Sequence, residues 1–248
     1  GLVTAIVPRA IQSIVAAFEP CVMTVGLVDN PEFGLLPLSA ADAAMLTNGR
    51  DAAGIGPGLG QNEAAAAMVC DVLKGAACPL VLDADALNIA ARHGFLTTDR
   101  TASSCVITPH PGEFARLTGR TIEEVEQHRE EMAAEFAGTH RVIVVLKGPV
   151  TVVTDGTRAY RNTTGNPGMA TAGCGDVLTG VIAGLLGQGL DAFDAARLGV
   201  YLQGRAGDLA RDEFGEISLT AADVLAKLPA AIREYQARAT TQGLRPGL

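Results

Sequence analysis

The sequence predicts an α/β fold: a mostly parallel central sheet with helices on both faces, in three layers. Three observations carry that prediction. Short apolar runs alternate with longer helical patterns along the chain. Several runs are continuously apolar, as in Pro79-Leu80-Val81-Leu82 and Val142-Ile143-Val144-Val145-Leu146, which is the pattern of strands buried on both faces. Each such run ends in a polar or glycine-rich segment, and in parallel sheets ligands sit beyond the carboxyl ends of strands. The 248 residues, 48% hydrophobic, suffice for a sizeable core. No linker, low-complexity run or internal repeat divides them, so residues 1–248 read as one domain.

Taken in order, residues 2–7 are apolar and β-branched and predict a strand. Pro8 breaks it, and a helix follows to residue 18. Residues 21–25 predict a short strand, 29–37 a loop and 39–47 a helix. Residues 51–56 lead into the turn Gly56-Pro57-Gly58-Leu59-Gly60. The alanine-rich residues 61–74 predict a helix. Residues 79–82 predict a strand ended by Asp83, and 86–92 a short helix. Residues 104–108 predict another strand, stopped by Pro109 and Pro111. Helices are expected over 112–118 and 122–137, then a strand over 141–146. Residues 151–154 and 157–161, joined by Asp155-Gly156, predict a hairpin. Residues 192–212 and 220–236 predict two closing helices, and 240–248 a frayed tail.

Net charge is −8, with no cluster of Lys or Arg. Nucleic acid and an anionic membrane surface are therefore not expected partners. No apolar run approaches the ~18 residues of a membrane span, and no signal peptide is expected. The five cysteines are odd in number and lack a CxxC spacing, which points to reduced thiols in a cytoplasm.

The chain turns on residues 162–187, NTTGNPGMATAGCGDVLTGVIAGLLG. A turn-forming run narrows to Ala170-Thr171-Ala172-Gly173-Cys174-Gly175. Asp176 follows, then an apolar stripe of helical period: Val177, Leu178, Val181, Ile182, Leu185, Leu186. Glycines at a helix start admit close backbone approach, and the exposed amides there carry a partial positive charge. Such a start can seat a phosphate. With no Lys or Arg in the run, backbone amides must do the seating. Asp176 then has two readings. It is the base that takes a proton from a hydroxyl attacking phosphorus, or it complements the helix dipole, worth about 0.3–1 kcal/mol. Cys174 is either a low-pKa thiol at a helix start or a small residue in a tight turn.

The other polar motifs leave similar choices. The Gly56–Gly60 turn is a second anion or ribose contact, or an ordinary strand-to-helix turn. Asp83 and Asp85, two apart in an extended segment, would point the same way. They either hold Mg²⁺ through water or bond a sugar, or Asp85 caps the helix that follows. Asn88 contacts substrate or supports that loop. Prolines on both sides of His110 stiffen the backbone that aims its imidazole. Glu113 either caps the next helix or helps order Mg²⁺. Lys147 approaches phosphates or is a surface lysine.

The run GNPGMATAGCGDVLTGVIAGLL resembles the signature of the ADP/ATP-dependent NAD(P)H-hydrate dehydratases, in the ribokinase-like superfamily. Gly56-Pro57-Gly58-Leu59-Gly60, Val81-Leu82-Asp83-Ala84-Asp85-Ala86-Leu87-Asn88, Thr108-Pro109-His110-Pro111-Gly112-Glu113-Phe114 and Val145-Leu146-Lys147-Gly148 resemble that family's other motifs, in its order. The resemblance implies a ribokinase-like fold and the dehydration of the S epimer of hydrated NADH or NADPH. ADP or ATP would be the co-substrate, with Mg²⁺. It implies Asp176 as the catalytic residue at the substrate hydroxyl, with Gly58, Gly60 and His110 on the substrate; Asn88 joins them on its place after the strand. It implies Lys147, Gly148, Pro149, Val150, Thr151, Asn166, Ala172, Gly173, Cys174 and Gly175 on the nucleotide. Residue type and position, not the resemblance, put Asp83 and Glu113 forward for Mg²⁺ through water. A homo-oligomer, such as a tetramer, is expected by analogy. The family carries a further glycine-containing segment before the residues that match Gly1 onward, so the chain is expected to be N-terminally incomplete relative to it. The alternatives are a kinase for a small alcohol, such as a vitamin precursor or sugar, and a non-catalytic nucleotide-binding remnant.

Overall fold

The computed structural model describes residues 1–30, 34–35, 39–97, 102 and 104–241. Its elements run in the order β1 (Val3–Pro8), α1 (Gln12–Phe18), β2 (Val22–Leu27), β3 (Asp29–Asn30), β4 (Gly34–Leu35), α2 (Ala40–Met45), β5 (Ala53–Ile55), α3 (Glu63–Gly75), β6 (Leu80–Leu82) and α4 (Ala84–His93). They continue with β7 (Cys105–Ile107), α5 (Pro111–Thr118), α6 (Ile122–Gln127), α7 (Arg129–His140), β8 (Ile143–Leu146), β9 (Val152–Thr154), β10 (Ala159–Arg161), α8 (Cys174–Gly187), α9 (Ala192–Phe214) and α10 (Ala221–Thr241).

The main sheet has six strands in the order β10-β9-β8-β7-β6-β5. Strands β5 to β8 are parallel, and β9 and β10 add the expected antiparallel hairpin. The continuous apolar runs are explained by what lies on each side. Leu80, Leu82, Cys105, Ile107, Val144 and Leu146 pack into one core with residues of α3, α4, α5, α6 and α7. Val81, Val106, Val145 and Val153 pack into a second core with α8, α9 and α10. The period of two sends successive side chains to opposite faces, and both faces are dry. The three-layer prediction therefore holds.

Four expectations need correction or limit. Strands β1 and β2 do not join the main sheet; they pair in parallel with each other, Val3 opposite Val22 through Pro8 opposite Leu27. Local side-chain type predicts a strand, but sheet membership depends on long-range pairing. Leu2, Val3, Ile14 and Phe18 lie exposed there. The helix expected over 122–137 breaks at His128 (φ −127°, ψ 33°) into α6 and α7. The break coincides with a long-range contact: Arg129, the first residue of α7, donates to the carbonyls of Leu146 and Lys147 at 3.0 Å each. Within the loop expected over 29–37, β3 and β4 pair antiparallel; residues 31–33 and 36–37 lie outside the described residues. Helix α10 runs to Thr241, and the rest of the expected tail likewise lies outside them.

Candidate active site

Parallel pairing of β5, β6, β7 and β8 sets their carboxyl ends side by side. The motif residues Gly56, Asp83, Thr108 and Lys147 follow those strands directly. The ladder continues past the strand ends: Asp83 N–H donates to Ile55, Thr108 N–H to Leu82 and Lys147 N–H to Pro109, at 2.9–3.1 Å. The motifs thus share one rim, as the strand-end rule required.

Asp83 is the centre of this rim, at 1% exposure. One carboxylate oxygen accepts from Lys147 Nζ at 2.9 Å and the other from Thr179 Oγ1 at 2.9 Å. Asp83 and Asp85 do not point the same way. Ala84 between them has φ +49°, a left-handed turn that starts α4. Asp85 instead accepts from Gly60 N–H at 2.9 Å and Gln61 Nε2 at 2.8 Å, bracing the glycine turn. Within that turn Gly56 (φ +131°) admits no side chain, since a Cβ would lie 1.8 Å from the Asp83 carbonyl oxygen. Gly58 and Gly60 also have positive φ but face open space.

Helix α8 is preceded by Gly173 at its N-cap, whose φ of 89° is natural only for glycine. No side chain caps the helix. Gly175 lets the first turn settle onto the ion pair: its Cβ would lie 3.2 Å from Lys147 Nζ and 3.3 Å from Asp83 Oδ2. Asp176 is the next residue and is exposed. Its carboxylate is nonetheless partly desolvated by the rim around it, which raises its pKa above the ordinary aspartate range; Asp83 raises it further, and Lys147 pulls it back. A carboxylate made more basic at an uncapped helix start suits proton removal beside a phosphate seat. Cys174 turns inward into the second core, and burial raises its thiol pKa, which argues against a thiolate nucleophile.

The remaining expected residues are placed as follows. Gly148, Pro149 and Val150 are exposed, and Thr151 is half-buried. Ala172 is exposed. Asn166 uses both ends of its amide within the protein, accepting from Gly168 N–H nearby and donating to Asp208 on α9. Asn88 accepts from Arg116 Nη1 at 2.9 Å, which ties α4 to α5. His110 caps α5: its Nδ1 accepts from the amides of Gly112 (3.0 Å) and Glu113 (3.4 Å). That acceptor role leaves the proton of a neutral ring on Nε2, with the side chain about half exposed.

Asp83 and Glu113 are both engaged by protein donors. Each oxygen of Asp83 accepts one hydrogen bond. Glu113 is 5% exposed and closes a capping box by accepting from His110 N–H at 2.8 Å. Among the described residues no group of three or more His, Cys, Asp or Glu is arranged to hold a metal ion. Asp83 follows β6 directly and Glu113 lies in the first turn of α5, and folding turned both onto protein donors.

Several contributors were missed. Thr179 lies one turn beyond Asp176, a polar break in the apolar stripe that could have drawn notice. Gln203, 7% exposed, donates to the Cys174 carbonyl; Asp208 accepts from Gly165 N–H at 3.1 Å. Both stand on α9 and have no local signal. A separate cavity of about 470 Å³ lies between Asp51, Pro79, Ser104 and Leu186. None of the expected catalytic, substrate, nucleotide or metal residues lines it.

Fold and rim together define a ribokinase-like α/β protein. A solved ribokinase-like superfamily protein from Enterococcus faecalis shares 28% identity at a TM-score of 0.74, covering 94% of this chain and 77% of that one. Residues 1–230 match the Carb_kinase family model, NAD(P)H-hydrate dehydratase, and the chain belongs to that family. A bifunctional NAD(P)H-hydrate repair enzyme from Moorella thermoacetica is 44% identical over 245 residues, 97% of this chain and 46% of that enzyme. The ADP/ATP-dependent NAD(P)H-hydrate dehydratase from Bacillus subtilis, co-crystallized with ATP/Mg²⁺ and soaked with CoA, gives 31% identity and a TM-score of 0.79, covering 95% of this chain and 82% of that one. The chain spans less than half the length of the first curated relatives it matches. Among the described residues no helix is long and apolar enough to cross a membrane.

Proposed function

We propose that this chain dehydrates the S epimer of hydrated NADH or NADPH, converting ADP to AMP and phosphate, or ATP to ADP and phosphate. The observation that carries this reading is Asp176: an exposed, more basic carboxylate on an uncapped helix turn, seated over the Asp83–Lys147 pair. Asp176 takes the proton of the ring hydroxyl, whose oxygen attacks the terminal phosphorus. Amides around Ala172, Gly173, Cys174 and Gly175 receive the charge on the transferred group. The ring nitrogen's lone pair then expels phosphate, and loss of a proton from the adjacent ring carbon restores the double bond. Gly58, Gly60, Asn88 and His110 serve the hydrate. Lys147, Gly148, Pro149, Val150, Thr151 and Asn166 serve the nucleotide. Magnesium would accompany the nucleotide's phosphates.

The test is incubation with NADPH hydrate plus ADP, then ATP, following phosphate release and recovery of reduced-nicotinamide absorbance together. Asp176→Asn should lower turnover by about 10²–10⁴-fold; near-native turnover removes Asp176 from this role. A stable phosphorylated product would mark a small-alcohol kinase instead, and nucleotide binding without turnover a remnant.

Residues 1–248 act as one catalytic unit in this proposal. The free state of all five cysteines supports a reducing cytoplasm. A homo-oligomer such as a tetramer is proposed by analogy with the family, and light scattering would test it.

A further inference from the structure

Residues 147–151 follow β8 without regular structure, yet their backbone is held in one arrangement from below. Arg129, whose side chain is 14% exposed, supplies the hold. Its Nη2 donates to the carbonyls of Leu146 and Lys147 at 3.0 Å and of Val150 at 3.4 Å. Its Nη1 donates to Glu126 at 3.0 Å, which neutralises the guanidinium. Gly148 is a glycine for this reason: a Cβ there would lie 2.6 Å from Nη2 and 2.9 Å from Cζ. The Gly148 carbonyl accepts from Thr151 Oγ1 at 3.4 Å, and the Thr151 carbonyl from Asn162 N–H at 2.9 Å. Five carbonyls of the segment 146–151 are thus turned onto the protein. The amides of Gly148, Val150 and Thr151 have no protein acceptor among the described residues. A loop with its acceptors taken and its donors free is an anion-binding surface.

We propose that Arg129 is a positioning residue for nucleotide binding: by drawing the carbonyls of Leu146, Lys147 and Val150 inward, it presents the amides of Gly148, Val150 and Thr151 to the nucleotide's phosphates. The inference rests on the proposal that the chain uses ADP or ATP. Arg129 itself does not touch the nucleotide. It acts through the shape of the loop, and Gly148 is the space that lets it reach.

Calorimetric titration of the full chain with ADP tests this on the wild type, R129M, R129K, G148A and R129M/G148A. Losing charge-assisted bonds to the loop should raise the Kd for ADP about tenfold in R129M. The turnover number at saturating ADP should fall far less. R129K, which keeps the charge but not the fork, should fall between R129M and wild type. G148A should weaken binding in the wild type, because its methyl evicts the guanidinium, and should add little in R129M. Thermal melts establish that each variant is folded; should R129M not fold, R129K and G148A decide. Wild-type affinity in a folded R129M or R129K overturns the inference, as do G148A and R129M effects that multiply. A wild-type chain that binds no ADP would instead overturn the proposed function.

Discussion

Replacing Lys147 by Met strands the Asp83 carboxylate. Asp83 is 1% exposed, whereas the Lys147 side chain keeps 22% of its surface in solvent. Unit charges at their separation of 2.9 Å attract by about 6 kcal/mol gross at an effective dielectric near 20. Desolvation offsets part of that, and Thr179 retains one bond to the carboxylate. Breaking a buried pair from one side costs about 3–5 kcal/mol, so K147M should lose about 3 kcal/mol. D83N should lose only about 1 kcal/mol, because an amide oxygen can still accept and the ammonium can reach water. The double variant should lose only about 1.5 kcal/mol, half the K147M loss, which corresponds to a coupling of about 2.5 kcal/mol. Urea unfolding followed by circular dichroism at pH 7 reads all four corners. If D83N costs more than K147M, or the two losses add within about 0.5 kcal/mol, the pair does not hold the site as described.

Three further outcomes are expected. G56A should cost about 4 kcal/mol or more, because its methyl would meet the Asp83 carbonyl oxygen at 1.8 Å; G58A, with open space around it, should cost only the left-handed backbone penalty of about 1–2 kcal/mol. Thermal melts of the two variants settle the contrast. The rate should fall as pH drops through the Asp176 pKa, since the base must be ionised, and that fall should lie above the ordinary aspartate range; a profile flat through the mildly acid range would refute it. The same raised pKa means that ionised Asp176 opposes folding as pH rises through it. D176N should therefore melt no lower than wild type at pH 7, and a clear drop in Tm would show Asp176 to be structural.

Much of the fold could be read locally because its strands are buried on both faces. Leu80-Val81-Leu82 and Ile143-Val144-Val145-Leu146 announce themselves without reference to any partner. Glycine-rich turns after such runs marked the rim, and the helical stripe from Val177 marked α8. The separate pairing of β1 with β2 and the break at His128 could not be read this way. Each is decided by contacts remote in sequence, and a local pattern carries no term for those.

Residue order alone settled which motifs end strands and that Asp176 opens a helix, since both follow from apolar period and turn chemistry within a few positions. Only folding decided that Asp83 faces inward to Lys147 and Thr179, and that Arg129 lies under the loop of Gly148. Those contacts span 17 to 96 residues. They form because burying a carboxylate or a guanidinium is tolerable only where the sheet brings it opposing charge and hydrogen-bond partners.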